Sequence, residues 1–298
     1  AVEVWKSHGF TDDRIVRLGR GDNFWGPAGP TGPCGPCSEL YYDFGPEVGC
    51  GQPDCKPGCD CDRYLEYWNL VFVQYDMDEA GDLTPLPKGS IDTGMGLERI
   101  ASISQGVTNV FETDLFRPLI ERGAELAGVK PDGSPAVTRA LRTMAEHARG
   151  ASFLIMDGIL PGNDGRDYVL RRIIRRAVQQ GVAIGVEKPF LATLTDAVVD
   201  IMGGAYPALA EARAEISRVV DDEEIRFRRT LEQGMGILEE ALRRARDAGT
   251  DLPADVAFEL HDTYGFPFDL TREIAAEQDM SVDEERFGRL MEEQRERA

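Results

Sequence analysis

The sequence predicts an α+β chain built in two parts, on three observations. Residues 1–109 are rich in glycine, proline, cysteine and aromatics, and period-two patches such as Tyr64, Glu66 and Trp68 argue for strands. From about residue 110 helical spacing takes over, beginning at Leu115, Leu119 and Ile120 and clearest across residues 208–248. At the junction, Leu83, Leu86 and Pro87 read as a strand end, while Leu97, Ile100, Ala101 and Ile103 recur at helical spacing. Two domains follow, 1–109 with strands and 110–298 all helical.

The elements follow in order. AVEVWK reads as the last turn of a helix whose beginning is absent, and no initiating methionine is present. GPAGPTGPCGPC places Gly26, Gly29, Gly32 and Gly35 every third residue; four triplets are too few for a collagen helix, so an ordered loop is expected. In IDTGMGLERI, residues 91–100, a strand runs into a helix, so Gly94 and Gly96 sit where backbone must approach something closely. An adenosine phosphate would suit that place; a tightly packed helix N-terminus is the plainer alternative. Residues 168–178 form the clearest amphipathic helix. At about 100° per residue, Arg171, Arg172, Arg175 and Arg176 share one arc of about 140°. Val169, Leu170, Ile173, Ile174, Ala177 and Val178 take the opposite arc, so a basic stripe is expected to face outward. Ser281 and Glu284 suit a capping box for a last helix ending in MEEQRERA, a charged tail fit for a linker.

At 298 residues and 42% hydrophobic content the chain can bury a substantial core. A net charge of -20 argues against general electrostatic attraction to nucleic acid, so any RNA contact is local. Against that background, five arginines within residues 166–176 read as a phosphate-contacting cluster; the alternative is a solvated face paired with carboxylates. No run of about eighteen apolar residues and no signal-peptide core is present, which makes a cytoplasmic protein with no membrane partner the expectation. Neither a P-loop nor a strand-anchored GxGxxG occurs, which disfavours a Rossmann fold. All six cysteines fall between residues 34 and 61. Cys50, Cys55, Cys59 and Cys61 form C-x4-C-x3-C-x-C in a loop able to wrap one structural Zn2+, with ordinary reduced thiols as the alternative. Disulfides are disfavoured without a secretory signal.

Five segments in order, DNFWGPAGPTGPCGPCSELYYD (22–43), YLEYWNLVFVQY (64–75), IDTGMGLERI, PGNDGRDYVLRRIIRRA (161–177) and HDTYGFPFDLT (261–271), resemble the alanyl-tRNA synthetases over nearly the whole chain. The resemblance implies the second half of a class II antiparallel catalytic sheet followed by an all-helical tRNA-recognition domain. It implies ATP, Mg2+ and alanine as ligands and the acceptor stem of alanine tRNA as partner, with oligomeric state left open. By the same resemblance Asp92 pairs with alanine's ammonium, Asn69 binds its carboxylate, and Trp25, Val71 and Gly94 enclose its methyl group. Arg99, beside Gly96, would hold ATP phosphates and Glu39 would reach the metal. Cys34 and Cys37 would belong to a pocket loop, not a redox pair. Asn163 and Asp262 would read a G·U wobble pair.

Two positions depart from the family pattern: Asp167 stands where glycine is usual and Glu146 where aspartate is usual, and Asp167 puts a negative charge near the expected phosphate track. The family's first two motifs lie upstream of this sequence and its editing domain downstream; no HxxxH pair occurs among His8, His147 and His261. A fragment with little activity of its own is therefore expected. The competing readings are a non-catalytic RNA-binding protein built from the same parts and an acidic interaction module with a zinc knob.

Overall fold

The computed structural model describes residues 1–297, with side chains through residue 294, and divides the chain into two units, 1–114 and 115–298. The boundary falls five residues beyond the expected one. Gln105 holds Asp114 by two hydrogen bonds of 2.7 and 3.0 Å, and Asn109 caps the short turn Val110–Glu112, so those residues stay with the first unit.

In the first unit helix α1 (Val2–Ser7) precedes a four-stranded antiparallel sheet in the order β1 (Phe24–Trp25), β2 (Gly32–Asp43), β3 (Tyr64–Met77), β4 (Leu83–Met95). This is the α+β arrangement the sequence predicts. Three details differ. Half of the glycine-proline stretch is strand β2 and not loop. Gly35 permits this, since a Cβ there would lie 1.9 Å from the Phe72 carbonyl oxygen of β3. Leu83, Leu86 and Pro87 begin β4 instead of ending a strand, because β4 continues to Met95 before helix α2 (Leu97–Gln105) starts. Pro85 and Pro87 are tolerated because β4 is an edge strand, where a missing N–H costs no ladder bond.

The second unit is helical: α3 (Arg117–Ala127), α4 (Pro135–Met156), α5 (Gly165–Ala183), α6 (Leu191–Met202), α7 (Pro207–Glu211), α8 (Arg213–Ala248), α9 (Ala254–Asp262), α10 (Phe268–Ala276) and α11 (Glu284–Arg297). Ser134 caps α4, followed by Pro135, and Gly128 and Gly249 end α3 and α8 in left-handed conformation. Its core is made by fully buried Ala145, Ala148, Leu170, Ile174, Leu194, Val220 and Phe227; alanines on α4 let α5 approach closely. The expected Ser281 capping box is corrected. Asp283 caps α11, accepting from the Arg286 amide at 2.9 Å, because Ser281 is engaged in a short bridge with Asp251 and Leu252. The tail expected as a linker is helical to Arg297, and Ala298 lies outside the described residues. No helix among the described residues is long and apolar enough to cross a membrane.

Candidate functional site

One face of the sheet collects the predicted pocket residues in three rungs. Tyr41 stands opposite Glu66; Glu39 opposite Asn69, and Asn69 opposite Gly94; Cys37 opposite Val71, and Val71 opposite Asp92. Opposed residues share a face, as do residues two apart on one strand, so the whole group points one way. Glu66 is the exception to the sequence pattern. A bulge leaves Tyr67 without a partner on β2, which turns Glu66 onto the face of Asn69 although simple alternation puts it with Trp68 on the other.

The side chains are tied together. Glu39 Oε1 accepts from Asn69 Nδ2 (3.1 Å) and Cys37 Sγ (3.1 Å), and its Oε2 accepts from the Tyr41 hydroxyl (2.8 Å). Burial, reinforced by Glu39, pushes the Cys37 thiol up to about 12 and the Tyr41 phenol upward as well, so both stay protonated donors. Asn69 Nδ2 also lies 3.4 Å from Glu66 Oε1, whereas its Oδ1 is buried with no partner. Two carboxylates fix the amide this way round, and the atom left for a ligand is an acceptor, suited to an ammonium or hydroxyl. Carboxylate binding by Asn69 would require the amide to turn over. A metal ion at Glu39 would have to share oxygens already accepting three hydrogen bonds.

Arg99 on α2 donates to the Glu66 carbonyl oxygen (2.6 Å) and lies 3.5 Å from its carboxylate. Gly96 makes this possible: a Cβ there would stand 3.1 Å from the Arg99 side chain folded back over it. Gly94 has no neighbour within 4 Å of where a Cβ would sit, so its space is open and no close backbone approach is made there. Gly96 is the N-cap of α2. Val71 is buried, and Trp25 on β1 is 53% exposed.

The four clustered cysteines lie between β2 and β3 with their sulfurs all within 4.8 Å of one another. Cys50 to Cys59 and Cys55 to Cys61 are each 3.7 Å. A tetrahedron with Zn–S bonds of about 2.3 Å has edges of roughly 3.8 Å, so the spacing fits the ion, and every cysteine is free. The Arg63 amide pulls the Cys61 thiol down to about 7, while hydrogen bonds from Cys50 and Cys61 push Cys59 up to about 12 and burial raises Cys55, so without an ion the four thiols favour one thiolate at Cys61. Cys34 and Cys37 lie in strand β2, not in a loop. The paired Asp43 and Arg63, at 2.7 Å, close the neck of the cysteine loop.

In the second unit the basic stripe does not face outward unpaired. Arg175 Nε binds Glu223 of α8 at 2.7 Å and Arg171 Nε approaches it at 3.6 Å, while Arg172 pairs with Asp269 (3.3 Å) and Arg176 with Glu273 (2.8 Å) of α10. Helix α5 packs Arg171 and Arg175 against α8, while Arg172 and Arg176 stay half exposed beside the carboxylates of α10, an arrangement that a single-helix projection does not see. On the apolar arc Leu170, Ile174, Ala177 and Val178 are buried as expected, but Val169 is exposed. Asn163, exposed before α5, accepts from Arg171 Nη1. Asp262, exposed at the end of α9, has no side-chain partner among the described residues, and Arg175 Nη1 holds the Gly265 carbonyl oxygen three residues on (3.1 Å). Helix α5 thus braces both loops. Asp167 packs under Gly162, where a Cβ would meet it at 2.6 Å.

Glu66, Tyr41 and Glu223 were not legible as site residues. Glu66 is hidden by the bulge, and Glu223 is one acid among many on α8.

Comparison with known proteins places the whole chain. It is 50% identical over 298 residues to an alanine–tRNA ligase of Dehalococcoides mccartyi (strain CBDB1), 52% over 303 residues to one of Desulforudis audaxviator (strain MP104C), and 49% over 304 residues to one of Clostridioides difficile (strain 630). Each match covers 100% of this chain, which spans about a third (34%) of the length of those relatives. The family model described as tRNA synthetases class II (A) matches residues 1–298, and the chain belongs to that family.

Proposed function

We propose that this chain is part of an enzyme that attaches alanine to alanine tRNA at the expense of ATP. The alanine carboxylate attacks the α-phosphate of ATP, giving alanyl-adenylate and pyrophosphate, and a terminal ribose hydroxyl of the tRNA then takes the alanyl group, releasing AMP. Positioning and charge neutralisation carry such chemistry, and no protein nucleophile is needed. The observation that carries the reading is the carboxylate-lined face beside Arg99, where Asp92, Glu66 and the unpartnered Asn69 Oδ1 suit an ammonium over the small wall of Val71 and Gly94. Arg99 is the phosphate ligand and Glu39 the residue reaching Mg2+. Zn2+ at the four cysteines is structural. The site works in the cytoplasm.

A pocket of that size rejects glycine or serine poorly, since a methyl-sized difference is worth about 1–3 kcal/mol, so accurate charging needs a separate proofreading step. Asn163 and Asp262 read the G·U pair of the acceptor stem, with Arg172 and Arg176, half exposed, nearest to phosphate. Three carboxylates with one arginine are a poor match for a triphosphate, so the isolated chain carries little or no activation activity. The test is binding of this chain to alanine tRNA and to its G·C variant at fixed salt, with alanine-dependent ATP–pyrophosphate exchange measured in parallel. Preference for G·U with background exchange is expected; equal binding removes the RNA reading, and robust exchange removes the inactivity.

A further inference from the structure

We infer that Glu223 is a positioning residue for RNA recognition: one buried carboxylate on α8 that, through Arg171 and Arg175, sets the loop carrying Asn163 and the loop following Asp262 in register with each other. The inference rests on the proposal that these two loops read the acceptor stem.

The side chain of Glu223 is 3% exposed, and a buried carboxylate persists only where cations and hydrogen bonds compensate its lost hydration. Its Oε1 faces the Nε of both arginines, at 2.7 Å from Arg175 and 3.6 Å from Arg171. The two arginines are four residues apart on α5 and so leave the helix in the same direction. A guanidinium is planar, so the hydrogen bond at Arg175 Nε decides where its Nη atoms point, whereas Arg171 Nε, buried with no hydrogen-bond partner, is held towards Glu223 by charge alone. Arg171 sends Nη1 to Asn163 Oδ1 and Nη2 to the Pro161 carbonyl (3.3 Å). Arg175 sends Nη1 to the Gly265 carbonyl (3.1 Å), its plane resting 5.1 Å over the Phe227 ring one turn along α8.

The consequence for recognition is chemical. Because Arg171 takes the acceptor of the Asn163 amide, the group left facing solvent is the Nδ2 donor, while Asp262 offers an acceptor. A donor and an acceptor suit a uracil carbonyl and a guanine 2-amino group in one shallow groove. The neighbouring Glu224 is equally buried but serves the fold: it accepts from the Phe190 and Leu191 amides at the start of α6 and from Arg228, and touches neither loop.

The experiment measures binding of the 298-residue chain to two acceptor-stem duplexes, one with G·U and one with G·C, by fluorescence anisotropy at fixed salt. In Glu223→Gln the G·U over G·C ratio is expected to fall by about tenfold, with affinity for the G·C duplex little changed. Glu223→Gln should lower the ratio by less in an Asn163→Ala background than it does alone, a non-additivity that general loosening would not produce. Glu224→Gln should lower the melting temperature and keep the ratio. If Glu223→Gln fails to fold, Arg171→Lys, which keeps the charge but not the fork, is expected to lower the ratio on a folded chain. A folded Glu223→Gln or Arg171→Lys with the parental ratio overturns the inference and leaves the RNA reading standing. Absence of any G·U preference in the parent chain overturns the RNA reading itself.

Discussion

Glu66 and Asn69 lie three residues apart on β3 and still share a face, with Asn69 Nδ2 3.4 Å from Glu66 Oε1, because Tyr67 between them is bulged out of the ladder. Through that bulge a single carboxylate meets both the amide at the centre of the sheet and the Arg99 guanidinium at the start of α2.

Glu66→Gln keeps the backbone carbonyl that Arg99 binds and removes only the charge 3.5 Å away. The pair is partly exposed, so at most about 1 kcal/mol is at stake. In the full-length protein carrying this segment, KM for ATP should change no more than about fivefold. Inserting one residue between Leu40 and Tyr41, opposite Tyr67, should do far more, because it gives Tyr67 a partner and plain alternation then moves residues 64–66 to the opposite face of the sheet. ATP–pyrophosphate exchange kinetics on both variants distinguish the two; equal effects would mean that the bulge is incidental.

The thiol cluster should bind one zinc ion per chain, and Cys61→Ser should remove most of the affinity while Cys34→Ser, on a buried β2 side chain, leaves stoichiometry intact. Co2+ substitution with its thiolate charge-transfer band provides the measurement. A chain that binds no metal after reduction would leave the cysteines as plain loop thiols.

Gly181→Ala on α5 sets two effects against each other. Helix propensity favours alanine by about 1 kcal/mol. A Cβ there, however, would lie 2.4 Å from the ring of Phe190, which is buried and held in place by the Glu224 contact to its amide. Overpacking at about 1–3 kcal/mol should win, and the urea midpoint should fall. A gain in stability would show that the ring can move.

His261 sits beneath Phe287 with ring centroids 5.7 Å apart and its Nδ1 buried without a partner, and burial holds its imidazole below the usual range. The unfolded chain therefore takes up a proton at higher pH than the folded one does. Stability contributed by neutral His261 is present above the ordinary histidine value of about 6.5 and is lost as pH falls below it. Urea titrations at pH 7.5 and 5.5 should show a smaller pH dependence in His261→Gln than in the parent chain; identical dependence would locate the effect in other groups.

Much of this architecture was legible in the sequence, for reasons that can be named. The two-part α+β division follows from where period two gives way to period 3.6, and Gly128, Ser134 with Pro135, and Gly249 mark helix ends by local chemistry alone. Asn69, Val71, Asp92 and Gly94 fall on adjoining rungs because alternation holds between them. What was not legible depends on partners distant in sequence. The bulge at Tyr67 is set by its pairing with β2, 26 residues from Tyr41. The arginine stripe looks free on a lone helix, and only the packing of α8 and α10 reveals its carboxylates. Ser281 loses its cap to Asp283 because residue 251 competes for it.

The pairing of α5's arginines has one more consequence, in counterions. A free arginine row would release condensed cations from an approaching nucleic acid and bind most polyanions, steeply weakened by salt. Here four guanidiniums already have carboxylate partners, so a phosphate gains one only by displacing an acid that the fold supplies. Association becomes an exchange of anions with little net ion release. An acidic protein with such a helix is a poor general trap for nucleic acid, and its affinity must come from the few groups that match the right stem.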